Sequence, residues 1–209
     1  FRSNPCAEEP LPAGGSCLLG AINLSAFVKN GKFDFDDFAE TVARAVKALN
    51  EVLDEGLELH PLFEQRESVA DWRQIGLGIF GLADMLIKMG MEYGSADSIV
   101  LCDRIGFIMA DIAIGASAYL ARDKKPYNKF KPEALDKNLY FIENTREETK
   151  RAVKRFGLRN SQLLTIAPTG SISTMLGVSG GIEPIFDTSY TRKTESLHGK
   201  DQYYEVYTP

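Results

Sequence analysis

Histidine, cysteine and tryptophan are scarce in this chain: two, three and one, respectively, among 209 residues. With His60 and His198 far apart and no Cys-x-x-Cys pair, local spacing cannot assemble a zinc-type ligand set, so no metal is expected. An odd number of cysteines, in a chain long enough to bury its own core, excludes a secreted disulfide scaffold. Apolar stretches are broken by charges well before the roughly 20 residues a membrane span needs, and Phe1-Arg2-Ser3 is no signal peptide. Basic blocks are missing too. The net charge of −5 comes from interspersed signs, which disfavours polymeric nucleic acid as a partner but leaves a nucleotide monomer open. These absences predict a cytoplasmic protein. With no Pro/Gly/Ser-rich linker or composition break, residues 1–209 read as one domain.

What is present is an ordinary globular composition, 44% hydrophobic and 25% charged. Asn4 to Ser16 is rich in proline, glycine and acid, and reads as an ordered loop. Its abrupt start suggests that further chain precedes it. Cys17 to Ile22 resembles a short buried strand. Phe35, Phe38, Val42, Val46, Leu49 and Leu53 recur at helical spacing, with Asp34 to cap the start and Gly56 to end it. A second helix is expected through Leu82, Met85, Leu86 and Met89. A third, from Ser95, carries Ile99, Cys102, Ile105, Met109, Ile112 and Leu120. Thr145 and Glu148 form a capping-box pattern for a short basic helix that stops at Gly157. Residues 162–166 read as a buried strand, and the tail from Asp201 to Pro209 is too short and polar to assign. Strands separated by helices predict an α/β fold with parallel strands, as in half a barrel.

Three stretches could carry chemistry. In Asn4-Pro5-Cys6-Ala7-Glu8, a strand-like backbone would put Cys6 and Glu8 on one side. A carboxylate there repels a thiolate, so the pattern suits a neutral thiol exchanging a hydrogen atom, with Glu8 free to accept a proton and Asn4 to hydrogen-bond. The bland alternative is a small core cysteine beside two solvated glutamates. Cys17 lies eleven positions later, close enough for the Pro/Gly loop to fold back, although by itself it too reads as core. Cys102 falls on a helical stripe and is structural. In Pro168-Thr169-Gly170-Ser171-Ile172-Ser173 a strand gives way to small hydroxyl residues that could open a helix and receive a phosphate, or simply cap it. No Lys follows the glycine, so this is not a P-loop. Gly76-Leu77-Gly78-Ile79-Phe80-Gly81 matches GxGxxG, but Asp71 to Gln74 before it is no apolar strand. Glycines for close helix packing are the preferred reading.

Taken together, Asn4-Pro5-Cys6-x-Glu8, Leu11-Pro12 and Cys17 to Leu24 resemble the active-site finger loop of ribonucleotide reductase large subunits. The resemblance continues in order through Gly76 to Asp84, Gln162 to Ser173, Ser179 to Pro184 and Tyr190-Thr191-Arg192. The wording is most similar to the adenosylcobalamin-dependent branch. The resemblance implies part of a ten-stranded α/β barrel: finger loop and following strand over residues 1–24, barrel helices and strands of the second half over 25–209. It implies Cys6 as the thiyl radical that takes the 3′ hydrogen of the ribose, Glu8 as base for the 3′ hydroxyl, and Asn4 as a hydrogen-bonding partner. Cys17 becomes one of two thiols that reduce the 2′ carbon, and Pro168, Thr169, Gly170, Ser171, Ile172 and Ser173 hold the substrate phosphates.

The implied partners are a ribonucleotide, the remainder of the large subunit and a thioredoxin-type reductant. Adenosylcobalamin is implied for the full-length enzyme and is not expected to be held by this piece. Ala7 departs from the Gly or Cys usual after the radical cysteine. The second reducing thiol, the allosteric and cobalamin-binding regions and a C-terminal cysteine pair would lie outside these residues, so the piece alone is expected to be inactive. Rival readings are a glycyl-radical barrel enzyme, for which the tail offers no radical-glycine loop, and a nucleotide-binding relative that has lost catalysis. The third is an unrelated α/β domain with coincidental motifs.

Overall fold

The computed structural model describes residues 2–195 and 199–207. It opens with two short antiparallel strands, β1 (Arg2–Ser3) and β2 (Pro10–Leu11), in which Ser3 faces Pro10. β3 (Leu18–Asn23) follows, then a 3-10 turn and the small hairpin β4 (Val28–Lys29) and β5 (Lys32–Phe33). Helices α1 (Phe35–Leu57) and α2 (Phe63–Trp72) lead to β6 (Ile75–Phe80). After it come α3 (Leu82–Lys88), α4 (Ala96–Lys124), α5 (Leu139–Glu143) and α6 (Glu147–Phe156). The short α7 (Gly170–Leu176) precedes an antiparallel pair, β7 (Ser189–Thr194) and β8 (Gln202–Tyr207).

The long helices form where periodicity and caps agree. Asp34 Oδ1 accepts the Asp37 N–H at 3.1 Å, and Phe38, Val42, Val46 and Leu53 on one face of α1 are buried. Ser95 caps α4 in the same way. Ile105 and Met109 of its stripe enter the core, whereas Ile99 in the first turn is 61% exposed. Cys102 packs against that core. The capping box expected at Thr145 does not form. The N-cap of α6 is Arg146, whose backbone N–H donates to Asp111 Oδ1 of α4 at 2.8 Å, and the Thr145 hydroxyl is buried without a partner. The tail left unassigned by its polarity supplies β8.

Parallel pairing is the frame for the site. β3 and β6 run parallel from Leu18 opposite Ile75 to Asn23 opposite Phe80. Residues 162–166 join β6 on its other edge, bridging Leu164 to Leu77 in parallel. The Leu77 N–H donates to Leu163 O at 2.8 Å and the Thr165 N–H to Leu77 O at 3.1 Å. Side chains alternate along β6, so Ile75, Leu77 and Ile79 enter the helix-covered core while Gly76 and Gly78 look the opposite way. The GxGxxG match therefore lies mostly within a strand, and its glycines do not serve helix packing. A Cβ at Gly76 would lie 2.7 Å from Leu19 Cδ2, 2.8 Å from Thr165 Cγ2 and 3.0 Å from Cys17 Sγ. Only a bare backbone leaves that face open to the chain laid across it.

A buried polar cluster fixes where β6 and the 162–166 segment begin. Asn50 of α1 and Asn160 exchange two amide hydrogen bonds of 3.0 Å, and Asn160 Nδ2 also donates to Arg73 O at 2.9 Å. The Arg73 guanidinium, 4% exposed, contacts Asp54 at 2.6 Å. Ser117 of α4 donates to Asn160 Oδ1 at 3.0 Å and accepts the Asn160 N–H at 3.1 Å. Buried networks of this kind select one arrangement of the elements they join.

Candidate active site

Between β1 and β2 the chain makes a tight loop. The Asn4 carbonyl accepts the Ala7 N–H at 2.9 Å, closing a turn over Pro5 and Cys6, and the Asn4 N–H donates to Glu9 O at 3.2 Å. Ala7 has φ 59°, in the left-handed region that favours glycine. Strand-like alternation therefore does not hold from Cys6 to Glu8. Cys6 is exposed at the turn, while Glu8 is half-buried with Oε2 sealed from solvent and unpartnered, as is Asn4 Oδ1. Buried polar atoms without partners are costly, and such atoms mark places where a ligand completes the bonding.

Docking onto the sheet holds the loop in place. The Glu8 carbonyl accepts from Thr165 Oγ1 at 2.7 Å. The Pro10 carbonyl accepts from Gln162 Nε2 at 2.9 Å and Gln74 Nε2 at 3.1 Å, and the two glutamine side chains also contact each other. These three polar residues come from the entry to β6 and from its neighbour, so the loop is registered to the parallel strands. Sequence reading missed all three, because their role depends on pairing far along the chain.

Cys17 sits half-buried just before β3, against Gly76. Beside it is Glu9, which sequence analysis treated as solvated at best. Glu9 is 2% exposed, and neither carboxylate oxygen makes a hydrogen bond of good geometry. Burial pushes its carboxyl up to about 7, against the pull of the Cys17 thiol and with the charge of Glu8 adding to the rise. The Cys17 thiol is itself pushed far up, first by burial, then by the adjoining Glu9 carboxylate and the charge of Glu8. It is held as a neutral thiol. All three cysteines are free.

Three residues beyond Thr165 the chain reaches the third motif. Pro168 and Thr169 lead into α7, so the strand-to-helix transition forms as read. Thr169 Oγ1 accepts the Gly181 N–H at 2.9 Å, and Ser173 Oγ donates to Gly170 O at 3.2 Å. Ser171 and Ile172 are exposed. A cavity of about 520 Å³ is lined by Pro168, Thr169, Gly170 and Ser173 together with Glu183 and Arg192. It does not extend to Cys6 or Cys17, nor do Ser171 and Ile172 line it. The structure thus gathers Asn4, Glu8, Glu9, Cys17 and Thr165 at one end of the strands. Residues 168–173 come next along the same segment, running into α7. Among the described residues no group of three or more His, Cys, Asp or Glu is arranged to hold a metal ion.

A loop of thiols and carboxylates laid over the uncovered face of a parallel sheet, with helices on the opposite face, defines part of an α/β barrel built around an internal loop. The family model for the ribonucleotide reductase barrel domain matches residues 2–208, and the chain belongs to that family. Among its relatives is a vitamin B12-dependent ribonucleoside-diphosphate reductase of Thermoplasma acidophilum, 37% identical over 200 residues, which are 95% of this chain and 23% of the relative. Another of the same description, from Mycobacterium tuberculosis, is 34% identical over 196 residues, 94% of this chain and 26% of the relative. A ribonucleoside-diphosphate reductase subunit alpha of Chlamydia pneumoniae is 29% identical over 219 residues, 93% of this chain and 21% of the relative. The chain spans about a quarter of the length of these curated relatives.

Proposed function

We propose that residues 1–209 are one piece of the catalytic barrel of a cytoplasmic reductase that converts ribonucleotides to deoxyribonucleotides by thiyl-radical chemistry. The carrying observation is the pinned loop. It presents an exposed Cys6 sulfur while Asn4 Oδ1 and Glu8 Oε2 lie buried and unpartnered beside it. In this reading the Cys6 thiyl takes the ribose 3′ hydrogen atom, becoming a thiol, while Glu8 accepts the 3′ hydroxyl proton and Asn4 holds the substrate hydroxyls. The 2′ hydroxyl then leaves as water while Cys17, kept as a neutral thiol, and a second thiol from the rest of the subunit supply two electrons and a hydrogen to the 2′ carbon and end as a disulfide, and Cys6 returns its hydrogen atom to the 3′ carbon. Residues 168–173 receive the phosphates of a ribonucleoside diphosphate, the substrate in the names of the relatives. The piece is inactive alone. A thioredoxin-type dithiol returns the spent thiols to the reduced state.

Adenosylcobalamin fits this chain at one point, the open Cys6 sulfur, since a radical generated outside the loop reaches an exposed thiol directly. When bound, it supplies a carbon-centred radical able to take the hydrogen atom of a thiol. The test is deoxyribonucleotide formation by the full-length protein with adenosylcobalamin and a dithiol. Activity in the wild type that disappears in Cys6→Ser is expected. Undiminished activity in that variant would rule out a radical at Cys6.

A further inference from the structure

Glu9 has no role in the mechanism above, yet it is among the most deeply buried side chains in the molecule. It sits one residue from the proposed base and against a proposed reducing thiol. Its two carboxylate oxygens are sealed from solvent and lack good partners. A carboxylate left so is tolerated where it exchanges a proton with a neighbour. The side chain next to it is Cys17, whose sulfur lies over the bare backbone of Gly76.

We propose that Glu9 is a positioning residue that holds and receives the proton of Cys17. The exchange is a single proton transfer: the Cys17 thiol and Glu9 carboxylate become the Cys17 thiolate and Glu9 carboxylic acid, with no electron moved. The pair carries one negative charge before and after. While Glu9 is ionised, losing the Cys17 proton to solvent instead would put a second negative charge into the same buried volume, which is far costlier. Glu9 thereby keeps Cys17 neutral during substrate reduction and takes up its proton when a thiolate is needed to exchange with a reductant. This rests on the reading of Cys17 as a reducing thiol.

The groups facing the pair leave little else to act on it. Within the loop the further charge is Glu8. From β6 comes the bare Gly76, from just before it neutral Gln74, and from the neighbouring segment neutral Thr165 and Gln162.

The experiment is site-resolved alkylation of the three cysteines in the full-length protein as a function of pH, with peptide mapping to separate them. At alkaline pH Cys17 is expected to react about tenfold faster in Glu9→Gln than in the wild type, one pH unit of titration. It should remain slower than an open thiol, because burial persists. Cys6 and Cys102 should not change. A Cys17 profile unmoved by Glu9→Gln would overturn the proposal. Should Glu9→Gln fail to fold, with all three thiols equally reactive, the reciprocal measurement decides. In Cys17→Ala the Glu9 carboxyl, followed by infrared spectroscopy, must titrate higher than in the wild type, and an unmoved carboxyl overturns the proposal. Both readouts report the pair itself, so they stand apart from whether the protein reduces ribonucleotides.

Discussion

Burial of Glu9 links stability to pH. Its carboxyl is raised from the ordinary 4.5 to about 7, so the folded chain holds a proton that the unfolded chain has already lost between those values. The sign follows: the contribution is complete below about pH 4.5, declines as pH rises, and is gone above about 7. The span is about 3 kcal/mol at most, since one pH unit is worth about 1.4 kcal/mol. Glu9→Gln should flatten this dependence and be more stable than the wild type at pH 8, read by denaturant unfolding. A wild-type stability that rises from pH 5 to 8 would contradict it. Ala7, held at φ 59°, makes a second residue-scale prediction. Ala7→Gly relieves left-handed strain of about 1–2 kcal/mol but adds unfolded-state entropy, for a net gain of about 0.5–1 kcal/mol. Cys6, Glu8 and Asn4 were legible as a motif, but their geometry was not, because a turn at Pro5-Cys6 replaces the extended backbone that alternation assumes. Glu9 was invisible as a functional group. Its burial comes from docking the loop on strands more than sixty residues away, and nothing in the local pattern marks it.

At the scale of elements, the sheet depends on what one strand leaves out. Gly76→Ala would press a methyl into Leu19, Thr165 and Cys17 together, costing about 1–3 kcal/mol by overpacking. Cys17 alkylation should change with it, since the thiol is one of the displaced groups. The cluster at the strand entries is the second support. Asn160→Ala would strip partners from Asn50, Ser117 and the Arg73 carbonyl at once. A loss of about 2–4 kcal/mol is expected in thermal or denaturant unfolding, whereas a loss below 1 kcal/mol would show that the network is dispensable. Helices α1 and α4 were readable because apolar period and capping residues coincide. Helix α2 was not, having Val69 as its one buried residue. β8 was missed because most of its side chains are solvent-exposed, so burial wrote no alternation into the sequence. The capping box at Thr145 failed because the helix begins one residue later, with Arg146 as its N-cap tied to Asp111 of α4.

For the molecule as a whole, the parallel α/β architecture was legible from strands and crossover helices, and its assignment to a barrel came from ordered motifs spread over the chain. What no local pattern conveys is how much apolar surface the described residues leave open. Met175 is 77% exposed, Leu176 56% and Phe186 83%. The 209-residue piece alone is therefore expected to bind a hydrophobic dye that the full-length protein does not, and equal dye binding by both would show that the rest of the chain leaves this surface open. No helix among the described residues is long and apolar enough to cross a membrane.

The most direct test of the central claim is a crystal structure of the full-length protein with a ribonucleoside diphosphate bound. The account predicts the ribose 3′ carbon within about 3.5 Å of Cys6 Sγ, a reactive approach, with Glu8 and Asn4 on its hydroxyls and the phosphates on residues 168–173. A nucleotide seated with its ribose away from Cys6, or its phosphates away from that loop, would contradict it.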